Sequence, residues 1–66
     1  MNFTEFNTLP ESEQLELLWA KSTYLRDVSK ENHRIIFYAI EDFVVQVTYH
    51  PDSETISEII AVGLSG

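Results

Sequence analysis

The sequence predicts an α+β domain in which one N-terminal helix packs on a four-stranded antiparallel meander, in the order α-β-β-β-β. Three observations point to it. Leu15, Leu18 and Trp19 recur at helical spacing, residues after Thr23 alternate with period two, and three polar clusters break that alternation into short runs.

The helix is expected over Leu9 to Lys21. Thr8-Leu9-Pro10-Glu11 has the form of a capping box, with Thr8 and Glu11 satisfying first-turn N–H groups. Pro10 suits that position because a first-turn N–H has no intrahelical partner. Glu11, Leu15, Leu18, Trp19 and Ser22 then share a face whose apolar centre is Leu15, Leu18 and Trp19, and Lys21 suits the negative end of the dipole. Leu17 lies about 200° from Leu15, off that seam, and reads as an isolated surface leucine or an extension of an interface. Phe3 and Phe6 precede the cap at helical spacing and are expected to form a short turn closing the end of the core.

Thr23 to Val28 reads as the first strand, and Ser29-Lys30-Glu31-Asn32 as a turn. The runs Ile35–Ile40 and Phe43–Tyr49 flank Glu41-Asp42, a two-residue turn poorer than Asn-Gly because neither residue takes positive φ as readily as glycine. Pairing about it sets Ile40 opposite Phe43, Tyr38 opposite Val45, Ile36 opposite Val47 and Arg34 opposite Tyr49. Pro51-Asp52-Ser53-Glu54 is the last turn. Pairing about it sets Tyr49 opposite Ile56, Val47 opposite Glu58, Val45 opposite Ile60 and Phe43 opposite Val62.

These pairings predict a core face of Ile36, Tyr38, Ile40, Phe43, Val45, Val47, Tyr49, Ile56, Ile60 and Val62, joined by Leu25. The helix covers it. The other face is expected to carry Tyr24, Arg26, Val28, Ile35, Phe37, Ala39, Val44, Gln46, Thr48, Ser57, Ile59 and Ala61. A solvated sheet face is normally polar at alternate positions, and this one is mixed. An apolar centre within a polar rim is how interfaces are built, which marks Tyr24, Arg26, Ile35, Phe37, Val44, Gln46 and Ile59 as a candidate interface. Its occupant is expected to be a second copy of the chain or another protein. The alternatives are cover by Met1–Phe6 or by Gly63–Gly66, or ordinary scattered surface apolarity.

Sixty-six residues make a single domain, 1–66, near the size at which a chain buries only about 60% of its unfolded surface. Small scaffolds are usually reinforced by disulfides, a metal or oligomerisation. There is no cysteine, so disulfides and thiolate metal sites are excluded and oligomerisation remains. The sequence shows neither a signal-peptide pattern nor an apolar run of about 20 residues, so a cytoplasmic location is expected, with no membrane partner.

The formal net charge is −7, and all four cations, Lys21, Arg26, Lys30 and Arg34, fall in the middle of the chain. Such a field repels phosphate backbones and anionic lipid, and no nucleic-acid partner is expected despite the run of cations around Tyr24. A second reading suits the charge: an acidic inhibitor that mimics nucleic acid in a basic protein groove.

Little points to catalysis, and no enzymatic activity, cofactor or small-molecule substrate is expected. His33 and His50 face each other across the predicted hairpin beside Glu31 and Asp52, a set able to bind zinc, and a metal-dependent enzyme is the remote alternative. Glu41 and Asp42 are adjacent acids at a hairpin tip, where solvent keeps both ordinary, whereas catalytic carboxylate pairs need environments that separate them. No Gly-rich phosphate loop, nucleophile motif or HExxH occurs.

The run Glu13-Gln14-Leu15-Glu16-Leu17-Leu18-Trp19, followed by Tyr38-Ala39-Ile40-Glu41-Asp42-Phe43-Val44-Val45-Gln46-Val47-Thr48-Tyr49, resembles short uncharacterised bacterial proteins with a capped Leu-Trp helix and an aromatic-rich β-hairpin. The resemblance implies a bacterial cytoplasmic origin and one helix followed by a meander. It implies no activity.

Overall fold

A capping box does open the chain, but at Asn2 rather than Thr8. In the computed structural model, which describes residues 1–63, the Asn2 carboxamide accepts from the Glu5 N–H at 2.8 Å and the Glu5 carboxylate accepts from the Asn2 N–H at 3.0 Å. This starts a short helix, α1 (Phe3–Thr8), in place of the expected turn. Thr8 is then unavailable as a cap, because its hydroxyl donates back to the Glu5 carbonyl at 2.7 Å. The second helix, α2 (Glu11–Lys21), therefore begins on Pro10 with no side-chain cap, its first N–H bonds running from Glu13 and Gln14 to the Pro10 carbonyl.

Four strands follow, β1 (Thr23–Ser29), β2 (Arg34–Ile40), β3 (Phe43–His50) and β4 (Thr55–Gly63). They form one antiparallel sheet in the order β1-β2-β3-β4, the meander that the periodicity predicts. Gly63 belongs to β4, and residues 64–66 of the expected tail lie outside the described residues. The β2–β3 register matches the expectation at every pair, despite the poor turn residues. Glu41 meets the need of that turn by taking φ 50.

The outer strands depart from strict alternation, each through one bulge. In β4 Tyr49 pairs with Ile56 as expected, but Thr48 pairs with Glu58, so Ser57 is an extra residue and everything beyond it changes face. The physical reason is Glu58. Strict alternation sets its carboxylate on the core face opposite Val47, and an ion taken out of water without a partner costs several kcal/mol. The bulge turns Glu58 outward and brings Ile59 and Ala61 onto Val47 and Val45. In β1 the shift falls between Tyr24 and Arg26, leaving Leu25 unpaired and exposed rather than in the core.

Both helices pack on the same face of the sheet, at the end near Glu41-Asp42. There Phe6, Ile40, Phe43, Val45, Val47 and Ala61 are buried, with the Phe6 and Phe43 rings 5.8 Å apart. Gln14, buried between the helices, donates its amide N–H to the Phe6 carbonyl at 3.0 Å and so ties α2 to the end of α1. Leu17 and Leu18 pack against this cluster, whereas Trp19 is 90% exposed. The expected seam is therefore rotated: α2 has α1 as a neighbour as well as the sheet, and its inner stripe is Gln14, Leu17 and Leu18.

Candidate protein-interaction surface

The face of the sheet away from the helices is built by register alone. From β1 to β4, Thr23, Ala39, Val44 and Val62 form one row, Arg26, Phe37, Gln46 and Ile60 the next, and Val28, Ile35, Thr48 and Glu58 a third. None of these residues is buried, and no described helix lies over them. Ile60 and Val62 keep 38% and 37% of their surface accessible on the outer strand. At the other edge the Arg26 guanidinium lies 5.9 Å from the centroid of the Phe37 ring, an arrangement that favours a cation over the ring face.

Of the seven residues expected in an interface, Arg26, Ile35, Phe37, Val44 and Gln46 share this face. Two do not. Ile59 lies opposite Val47 and packs against the core, because the Ser57 bulge moves it across the sheet. Tyr24 lies opposite Tyr38 on the helix side, its ring edge-on to the Tyr38 ring at 6.3 Å, because the Leu25 bulge separates its parity from that of Arg26. In their place the face gains Ile60 and Val62. The signal that finds them is the conflict at Glu58, which no core-facing register can accommodate without a bulge.

A second apolar surface was not expected. Toward the Pro51–Glu54 turn the helices stop short of the end of the sheet, and the core face opens into a groove of about 270 Å³. Its floor is Ile36, Tyr38, Val47, Tyr49 and Ile56, and Leu15, Leu18 and Trp19 form its wall. Beyond this, on β1 and β2, Arg34 pairs with Asp27 at 3.0 Å. The Tyr24 phenol is held above its ordinary value by desolvation and by the neighbouring Asp27 carboxylate, with Arg34 opposing them.

The histidines come together as the hairpin predicts, His33 and His50 having ring centroids 5.9 Å apart. His50 Nε2 lies 2.9 Å from the hydroxyl of the bulged Ser57, an ordinary polar partner. Among the described residues no three histidine, aspartate or glutamate side chains are grouped so as to hold a metal ion, so Glu31 and Asp52 do not complete the set. No described helix is long and apolar enough to cross a membrane. No family model matches the chain, and neither the curated proteins nor the solved structures hold a significant match to it.

Proposed function

We propose that this chain is a small acidic protein-interaction module that self-associates through the open face of its sheet. The observation that carries the reading is the charge of that face. In a chain of net charge −7, its three rows hold one cation, Arg26, and one anion, Glu58, around an apolar centre. Two copies repel one another over most of their surfaces and meet without net repulsion here. A chain of this size also gains more than a large one from covering such a face.

The size of the face bears on the kind of contact it makes. Four strands about 4.8 Å apart and about seven residues long at roughly 3.4 Å per residue give a face of roughly 450 Å². A footprint this small belongs with weak, transient contacts rather than with obligate dimers, so the dimer is expected to be reversible. Sedimentation equilibrium from about 1 to 500 μM is expected to show mass rising from one chain to two. Phe37→Glu, at the centre of the face, keeps the chain monomeric with its circular dichroism unchanged. A native chain that stays monomeric throughout that range refutes the reading.

A further inference from the structure

The two charges on the open face bear on how two copies are oriented, an inference that rests on the self-association proposed above. Arg26 stands on β1 and Glu58 on β4, the two outermost strands. Arg26 is level with Phe37, Gln46 and Ile60, while Glu58 is level with Val28, Ile35 and Thr48, the adjacent row. Like-facing positions along a strand are about 7 Å apart, and stacked sheets about 10 Å.

Three two-fold arrangements keep the strands of the two copies aligned, the packing that lets whole rows meet. In the first, the axis runs along the strands between β2 and β3, so each β1 lies over the partner's β4 and every row lies over itself. Arg26 then faces the outer strand on which the partner copy carries Glu58, one row away, and two such pairs form. In the second, the axis runs across the strands. Each β1 then lies over the other β1, and each β4 over the other β4, bringing cation toward cation and anion toward anion. In the third, the sheets join edge to edge. At β4 this is opposed by Asn7, whose side-chain amide occupies both backbone groups of Ala61. At β1 the Leu25 bulge interrupts the ladder.

We infer that the second copy docks with its two-fold axis parallel to the strands, held in that orientation by reciprocal Arg26–Glu58 pairs across the interface. The pairs flank an apolar centre in which the Phe37 ring of each copy lies over Gln46 of the other. Oppositely charged edges reject the crossed orientation more than they strengthen the correct one, which is the usual role of charge at an interface.

Charge reversal tests this against net charge alone. Arg26→Glu takes each chain from −7 to −9, Glu58→Arg from −7 to −5, and the double variant returns it to −7. Both sites are exposed, so the fold is retained, and circular dichroism checks it. In low-salt sedimentation each single reversal is expected to weaken the dimer about tenfold, with the double variant restored to within about threefold of native. The result for Glu58→Arg is decisive, because relief of net repulsion alone predicts a tighter dimer. A tighter Glu58→Arg dimer, or a double variant as weak as the singles, overturns the orientation and leaves self-association standing. A dimer that survives Phe37→Glu indicates edge pairing and overturns both readings.

Discussion

The Asn7 side chain acts as a substitute strand for Ala61. Its Oδ1 accepts from the Ala61 N–H at 2.8 Å and its Nδ2 donates to the Ala61 carbonyl at 2.9 Å, the pair of bonds that a neighbouring strand would make. Edge strands with free backbone groups invite pairing with other chains, and β4 is an edge strand. Removing both bonds in Asn7→Ala is expected to cost about 1–3 kcal/mol and to promote aggregation on heating. Chemical denaturation and light scattering on warming measure the two effects. If Asn7→Ala matches the native chain in both, the edge is protected by something other than this amide.

The packing of α2 gives a contrast between neighbours. Leu17 rests on the buried cluster and Trp19 stands in solvent at the lip of the groove. Leu17→Ala should destabilise the fold by about 2–3 kcal/mol, a large share of the stability of so small a domain. Trp19→Ala should stay within about 0.5 kcal/mol of native, as surface changes do. Urea titrations of both variants check the order, and an inverted result returns α2 to the Leu15–Trp19 seam.

The central hairpin was legible in the sequence because Ile36, Tyr38, Val45 and Val47 leave it one register in which apolar residues share a face. The outer strands were not, because alternation is a rule about pleated strands and a bulge suspends it. Ile56 and Ile59 are three apart, a spacing that places both on the core only if one residue between them is extra. Leu25 gave no comparable warning, since an apolar residue is acceptable on either face. The helix seam held at Leu18 but missed Leu17 and wrongly took in Trp19, for another reason. Asn2 and Glu5 carry a cap signal as good as that of Thr8 and Glu11 and are the pair the fold uses, so a short first helix precedes α2 and gives it a second neighbour to pack against. The candidate surface inherited these errors only at its edges, Tyr24 and Ile59.

Glu54 closes the β3–β4 turn with φ 54 and Glu41 opens the β2–β3 turn with φ 50, both in the left-handed region. That conformation costs a non-glycine residue about 1–2 kcal/mol. Glycine removes the cost but gives the unfolded chain more freedom, worth about 0.4–1 kcal/mol in the opposite direction. Glu54→Gly is therefore expected to stabilise the fold by about 0.5–1 kcal/mol, seen as a rise in Tm in a thermal melt. A fall in Tm means that the carboxylate contributes more at this turn than the backbone strain costs.

Tyr24 provides a titration that reports on its position on the helix side of the sheet. Desolvation and the Asp27 carboxylate both disfavour the phenolate, so the folded chain holds this proton more tightly than the unfolded chain, whose phenol titrates near about 10. A group raised on folding stabilises the fold below its unfolded value and loses that contribution as pH rises through the folded one, so stability falls on the alkaline side. Asp27→Asn removes the charge but keeps the shape. Tyr24 should then titrate at lower pH than in the native chain, followed by NMR of the ring carbon bearing the hydroxyl, which separates it from Tyr38 and Tyr49. An unchanged midpoint removes Asp27 as a cause. Register gives the control: Arg26 faces the opposite side of the sheet, so Arg26→Gln should leave the Tyr24 midpoint in place. A shift in that variant as large as in Asp27→Asn is incompatible with a bulge between Tyr24 and Arg26.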